Sequence, residues 1–84
     1  MQTINHKQFD VLSGFYAHLY CVYHDGVKSD FGFYAEQLDS INVPWSIQNS
    51  VAVMAEDRGS QSKYFRTLLK EKDIHVKQCE LTAA

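Results

Sequence analysis

The first third of the chain repeats apolar and polar residues with the period of an α-helix. Apolar residues return every three or four positions, which places them on one face of a helix at about 100° per residue. Tyrosine is apolar along its ring and polar at its hydroxyl, so a stripe rich in tyrosine suits either a core or a protein-binding surface. The stripe consists of Phe9, Leu12, Tyr16, Leu19, Tyr20 and Tyr23.

Signals for helix ends lie on both sides of this stripe. Asn5 is a suitable N-cap, and Gln8 stands three residues later, where it can complete a capping box. Gly26 supplies the stop signal, because glycine readily takes the left-handed conformation that ends a helix. The pattern predicts a first helix over residues 6–24.

Three shorter helical patterns follow. Ser29 or Asp30 can cap a second helix, and Pro44 suits the first turn of a third. Gly59 interrupts the next apolar pattern, and Ser60 can cap a fourth helix. The chain therefore carries signals for about four helices.

These patterns predict an all-α fold. Residues 74–77 alternate over too short a stretch to predict more than a short strand or an extended segment. At 84 residues the chain has room for one core. We expect a single helical domain over residues 1–84, a bundle of about four helices with a short irregular or extended C-terminal tail.

Composition and charge change this picture only in part. With 45% hydrophobic and 21% charged residues the chain is an ordinary globular sequence rather than a disordered one. Charge is unevenly distributed: residues 1–42 hold two lysines against five acidic residues, whereas residues 58–72 hold five cations against Glu71. This asymmetry is compatible with head-to-tail self-association or with an anionic partner.

The chain carries no signal of a membrane protein or a secreted one. No apolar run approaches the roughly 18–20 residues of a membrane span, and no signal peptide precedes the first helix. The two cysteines, Cys21 and Cys79, follow no motif spacing. We expect a cytoplasmic protein with free thiols and no contact with a membrane.

Residues 51–69 resemble a helix-turn-helix unit in their spacing. Such a unit has a small residue in its first helix, a glycine four residues later and apolar residues six and nine positions beyond the glycine. Ala55 and Gly59 satisfy the first two requirements. Phe65 and Leu68 satisfy the other two. On this alignment, the residues that would face nucleic acid are Gln61, Ser62, Lys63, Arg66 and Lys70.

Two positions depart from the helix-turn-helix pattern. Arg58 and Ser60 flank the glycine, where such motifs usually have apolar residues. The chain has a net charge of −2, which disfavours contacts with phosphate groups. Two amphipathic helices joined by a glycine turn explain the spacing equally well, so DNA binding is the second hypothesis.

Three potential metal ligands recur at intervals of three in the first helix. His18, Cys21 and His24 step progressively around the helix, so their side chains converge poorly on one ion. No group that would activate a cysteine nucleophile and no glycine-rich phosphate loop accompanies them. We expect no metal, no cofactor and no enzymatic activity.

The aromatic residues outnumber those that one small core needs. Phe9, Leu12, Tyr16 and Leu19 account for the core face of the first helix. Tyrosine and tryptophan are enriched in the energetically dominant parts of protein interfaces. We therefore predict a small interaction module, such as an adaptor, inhibitor or assembly factor, that binds another protein or a second copy as a homodimer. The predicted contact residues are Tyr20, Tyr23, Phe33, Tyr34 and Trp45.

Overall fold

The structure is a computed structural model that describes residues 2–28, 31–58 and 65–77. These residues contain four α-helices and two strands of three residues each. The elements in chain order are β1 (Gln2–Ile4), α1 (His6–Asp25), α2 (Phe31–Ser40), α3 (Trp45–Arg58), α4 (Phe65–Glu71) and β2 (Ile74–Val76). The predicted all-α class with about four helices is confirmed. None of the helices in these ranges is both long and apolar enough to cross a membrane.

Helix α1 begins and ends as its sequence predicts. The Asn5 side chain accepts a hydrogen bond from the Gln8 backbone N–H at 2.8 Å, and the Gln8 side chain accepts one from the Asn5 N–H at 2.9 Å. These two bonds form the predicted capping box. Gly26 ends the helix with φ of 73°, and its N–H donates to the Cys21 carbonyl. The first helix is therefore specified by local signals at both ends.

The turn between α2 and α3 is fixed by a buried amide. Gln48 is 3% exposed, and its Nε2 donates to the Asp39 carboxylate and to the Val43 carbonyl, both at 3.1 Å. Pro44 lies immediately before α3, where its carbonyl accepts the Gln48 backbone N–H. Asn42 takes a left-handed conformation with φ of 63°, which asparagine tolerates better than most residues. The predicted caps at Ser29 or Asp30 and at Ser60 lie outside the described residues.

The two ends of the described chain meet in a parallel pair of strands. Ile4 lies opposite Val76 in the register, and the Lys77 N–H donates to the Ile4 carbonyl at 2.8 Å. Asp73 turns the chain from α4 into β2 with φ of 60°. Of the two alternatives predicted for residues 74–77, a short strand or an extended segment, the structure has the strand, over Ile74–Val76. Its partner β1 was not predicted, because three residues are too few to show a period.

Each of the four helices and both strands contributes at least one buried apolar side chain to the core. Ring stacking joins α1 to α4, with Phe65 centred 5.7 Å from Phe9 and 5.0 Å from Tyr16. Phe9, predicted as core, is only partly buried and packs against the core from its edge. Phe15, which we did not assign to the core, is 6% exposed. The other buried apolar residues are Ile4, Leu12, Leu19, Leu38, Val43, Ile47, Val51, Met54, Ala55, Leu68, Leu69, Ile74 and Val76.

Candidate protein-binding surface

A shallow groove of about 200 Å³ lies between α2 and α3, above the middle of α1. Four of its residues, spaced at three and four positions, form one face of α3. We call it the Trp45 groove, and its lining residues are Phe15, Ala35, Trp45, Gln48, Asn49 and Ala52.

The groove combines a large aromatic wall with a small apolar floor. Trp45 is 58% exposed, so more than half of its indole surface is open. Phe15 lies beneath it in the core, and Ala35 and Ala52 are half-buried. Because alanine side chains are short, they leave space between the helices that a partner side chain can enter. The groove thus presents apolar surface at the bottom and at one side.

Helix α3 has exposed apolar side chains as well as buried ones. Ile47, Val51 and Met54 are buried against the core. Trp45 and Val53, which is 50% exposed, point away from it. A helix in a small domain usually presents one apolar face to the core and a polar face to solvent. The second apolar side of α3 is therefore surplus to the needs of folding.

The position of Trp45 is fixed by the turn before it. The Ile47 N–H donates to the Pro44 carbonyl at 3.0 Å, and the Gln48 N–H donates to the same atom at 3.1 Å. The Gln48 side chain holds the preceding segment through Val43. Trp45 therefore projects from a helix start that is held by these hydrogen bonds.

Phe33 adds a second exposed aromatic residue on α2. It is 53% exposed and lines a depression of about 190 Å³ with Glu36, Gln37 and Ser40. Its ring meets that of Tyr34 edge to face, with centroids 5.3 Å apart. Phe33 is thus open to solvent on the outer side of α2.

Two of the predicted contact residues pack mainly within the domain. Tyr34 is half-buried, with its ring 5.8 Å from Phe15 and 5.2 Å from His18. Tyr20 is also half-buried, with its ring 4.7 Å from His24. Tyr23 is 42% exposed near the end of α1. The five predicted residues therefore do not form one set: the structure gives the greatest exposure to Phe33 and Trp45.

The sequence analysis missed the rest of the groove. Asn49 and Ala52 could have been found by following the helical face that begins at Trp45. Ala35 carries no signal of its own, because alanine is common in helices of every kind. Phe15 is recognisable as part of the floor only once α1 is seen to pack beneath α2 and α3.

Acidic residues, and no basic ones, occur in the stretch of sequence that forms α2 and all of α3 except Arg58. No lysine or arginine occurs between Lys28 and Arg58. Glu36 and Asp39 on α2 and Glu56 on α3 are exposed. Helix α2 contains no lysine or arginine, and Arg58 is the one cation in the sequence of α3. The residues that line the groove are themselves uncharged.

The surface proposed for nucleic acid is described only in part. Gln61, Ser62 and Lys63 lie outside the described residues, as does the turn glycine of the motif. Arg66 and Lys70 are exposed on α4. The remaining positions of the helix-turn-helix spacing, Ala55, Phe65 and Leu68, are buried.

Arg66 also serves the fold. Its guanidinium carbon lies 4.6 Å from the centre of the Phe9 ring, within the range of a cation–π contact. Arg66 and Lys70 line a depression of about 220 Å³ with His75 and the edge of β2. The lining of this depression is basic, whereas the lining of the Trp45 groove is uncharged.

The three potential metal ligands of α1 do not meet. His18 lies against the Tyr34 ring, and the Nε2 of His24 lies 3.0 Å from the Ala55 carbonyl oxygen. Cys21 is a half-buried free thiol, and Cys79 lies outside the described residues. Within residues 2–28, 31–58 and 65–77, no three histidine, cysteine or acidic side chains are grouped so that they could hold a metal ion.

Comparison of the chain with protein-family models, with curated proteins and with solved structures gave no match.

Proposed function

We propose that this protein is a small interaction module that acts by binding another protein through the Trp45 groove. The observation that carries the proposal is the 58% exposure of Trp45, the highest fraction among the large exposed apolar side chains of the described residues. Such a module would serve as an adaptor, an inhibitor or an assembly factor in the cytoplasm, and it would not itself catalyse a reaction.

The chemistry of the groove supports protein binding. Tryptophan contributes a large apolar area when it is buried and has one hydrogen-bond donor, which is why it is enriched among interface hot spots. Asn49 is exposed beside it and offers an amide at the rim. An apolar centre with a polar rim is the usual anatomy of a protein interface.

A capture experiment with two matched variants tests the proposal. Trp45→Ala removes the groove wall, whereas Val53→Ala removes a similarly exposed apolar side chain from α3 outside the groove lining. We expect a specific partner to be retained by the unmodified protein and by Val53→Ala and to be lost with Trp45→Ala. Retention of the same proteins in the same amounts by both variants would refute the role of the groove.

Self-association is tested in the same preparations. Sedimentation at two concentrations shows whether the protein forms a homodimer, and Trp45→Ala shows whether that dimer uses the groove. A dimer that is lost with Trp45→Ala and kept with Val53→Ala identifies a second copy as the partner.

The second candidate function is DNA binding through α4. It is favoured by the exposure of Arg66 and Lys70 on one side of a helix whose apolar side is buried. A gel-shift assay with duplex DNA at low and high salt tests it, with Lys63→Ala/Arg66→Ala as the variant. Salt-sensitive binding that the variant loses would support this function, and no binding at low salt would exclude it.

A further inference from the structure

We propose that the depression between α4 and β2 binds a phosphate monoester on a partner protein, as in a phosphorylated serine side chain. It lies on other elements than the Trp45 groove, so the inference goes beyond the proposed function and does not depend on it. We call it the basic depression, and its lining residues are Arg66, Lys70, Ile74, His75 and Val76.

Three side chains with nitrogen donors line the basic depression directly. Arg66 and Lys70 carry positive charge, and the imidazole of His75 has an N–H group that donates a hydrogen bond. Within residues 2–28, 31–58 and 65–77, none of these three side chains forms an ion pair. No carboxylate in these ranges therefore competes with an anionic ligand for them.

The fold places these side chains around one space. Arg66 and Lys70 are four positions apart on α4, so they lie on the same side of the helix. The guanidinium carbon of Arg66 lies 4.6 Å from the centre of the Phe9 ring, and this cation–π contact restrains a long side chain. His75 is the exposed residue at the centre of β2, with a buried residue on either side. The site thus draws its donors from a helix and from the strand that follows it.

The volume and the donors of the depression favour a single phosphate group. Its volume of about 220 Å³ is smaller than the roughly 300–1,000 Å³ of pockets that enclose a whole small molecule. A phosphate monoester has a charge of about −1.5 to −2 at pH 7 and three acceptor oxygens, which match three donor side chains. A carboxylate has one charge and two oxygens. Arginine also binds phosphate through two parallel hydrogen bonds.

A phosphorylated protein side chain fits this end of the molecule better than a nucleic acid does. The exposed residues that lead from α4 to β2 alternate in charge, in the order Lys70, Glu71, Lys72 and Asp73. Asp73 also lines an adjoining depression of about 200 Å³. Duplex DNA has one negative charge per about 1.7 Å of its axis, so phosphates next to a bound one would approach these carboxylates. An isolated phosphate needs only the basic depression.

A nuclear magnetic resonance titration of the full chain tests the proposal. Three capped peptides share one short uncharged sequence and carry phosphoserine, glutamate or serine at the central position. We expect the phosphoserine peptide to shift the amide signals of Arg66, Lys70 and His75 and to bind about tenfold more tightly than the glutamate peptide. The serine peptide should leave these signals unchanged. Equal affinity of the phosphoserine and glutamate peptides would refute the preference for phosphate, and no shift with any peptide would refute the site.

A pair of lysine variants locates the binding. Lys70→Gln removes one charge from the basic depression and keeps the contact between Arg66 and Phe9. We expect it to weaken the phosphoserine peptide at least about fivefold. Lys7→Gln removes the same charge from an exposed position of α1 that does not line the depression, and the affinity should not change. Equal losses in the two variants would show that net charge alone decides, which overturns the proposal.

Three further measurements separate the possible sources of phosphate and the two proposed surfaces. Duplex DNA that shifts the same signals at lower concentration than the phosphoserine peptide would assign the surface to nucleic acid and overturn the proposal. Inorganic phosphate that binds as tightly as the peptide would refute a protein partner. Trp45→Ala should bind the phosphoserine peptide as the unmodified protein does, so that either surface can fail while the other stands.

Discussion

Two aromatic regions of this protein differ in how far they are buried. The buried aromatic cluster, formed by Tyr16 and Phe65 with the partly buried Phe9 at its edge, joins α1 to α4. The Phe65 ring lies 5.0 Å from that of Tyr16 and 5.7 Å from that of Phe9. The Trp45 groove joins α2 and α3 and leaves Trp45 58% exposed. Both regions consist of apolar residues at helical spacing. The difference lies in which elements fold over them.

The buried cluster is closed by the end of the described chain. Helix α4 brings Phe65 onto α1, and β2 follows it and pairs with β1. The groove is built by α2 and α3, which are adjacent in sequence, and Trp45 stands at the first position of α3. Surface at a short helix connection is covered only if another element crosses it. The spacing of aromatic residues along a helix therefore does not by itself distinguish a core from an interface.

The largest expected effect comes from opening the buried cluster. Phe65→Ala removes a ring that is 1% exposed and touches two others, so we expect a loss of about 3–5 kcal/mol in the free energy of unfolding. Urea denaturation followed by circular dichroism measures it. A loss below about 1 kcal/mol would mean that α4 does not close this part of the core.

Removing the cover provided by β2 should have the next largest effect. Ile74→Ala shortens a side chain that is 2% exposed, and we expect a loss of about 2–4 kcal/mol in the same measurement. His75→Ala is the matched control, because the neighbouring side chain on the same strand is exposed. If the two substitutions cost the same, the strand is not anchored through its inward side chains.

A smaller effect is expected where α1 ends, near the exposed Tyr23 and Val27. Gly26 has φ of 73°, so Gly26→Ala places a Cβ in the left-handed region and should cost about 1–2 kcal/mol. Gly26→Asn should cost less, since asparagine tolerates this conformation. Apart from Gly26 and its two chain neighbours, no atom of the described residues lies within 4 Å of a Cβ built at this position, so the difference reports on backbone conformation.

The smallest effect on stability is expected at the groove. Trp45→Ala should change the free energy of unfolding by less than about 1 kcal/mol, because the side chain is largely exposed and its backbone is held by the Pro44 carbonyl and the Gln48 amide. Thermal unfolding followed by circular dichroism, which does not need tryptophan fluorescence, measures it. A loss comparable to that of Phe65→Ala would make Trp45 a core residue and remove the contrast between the two regions.

The sequence by itself determined the local features. Asn5 and Gln8 fix the start of α1 and Gly26 fixes its end, because their effects act within a few residues along the chain. The four helices and most of the core stripe of α1 follow from the same short-range periodicity. The residue type of Trp45 predicted an interface contact, because tryptophan is enriched among interface hot spots.

Only the tertiary structure decided how distant segments meet. Strand β1 pairs with β2 from the other end of the described chain. A three-residue strand is too short for its sequence to predict which strand it pairs with. Phe15 became the floor of the groove because α1 packs under both α2 and α3. Periodicity assigns residues to the faces of a helix, whereas their exposure depends on which remote elements pack there. For that reason Phe65 is buried and Trp45 is open.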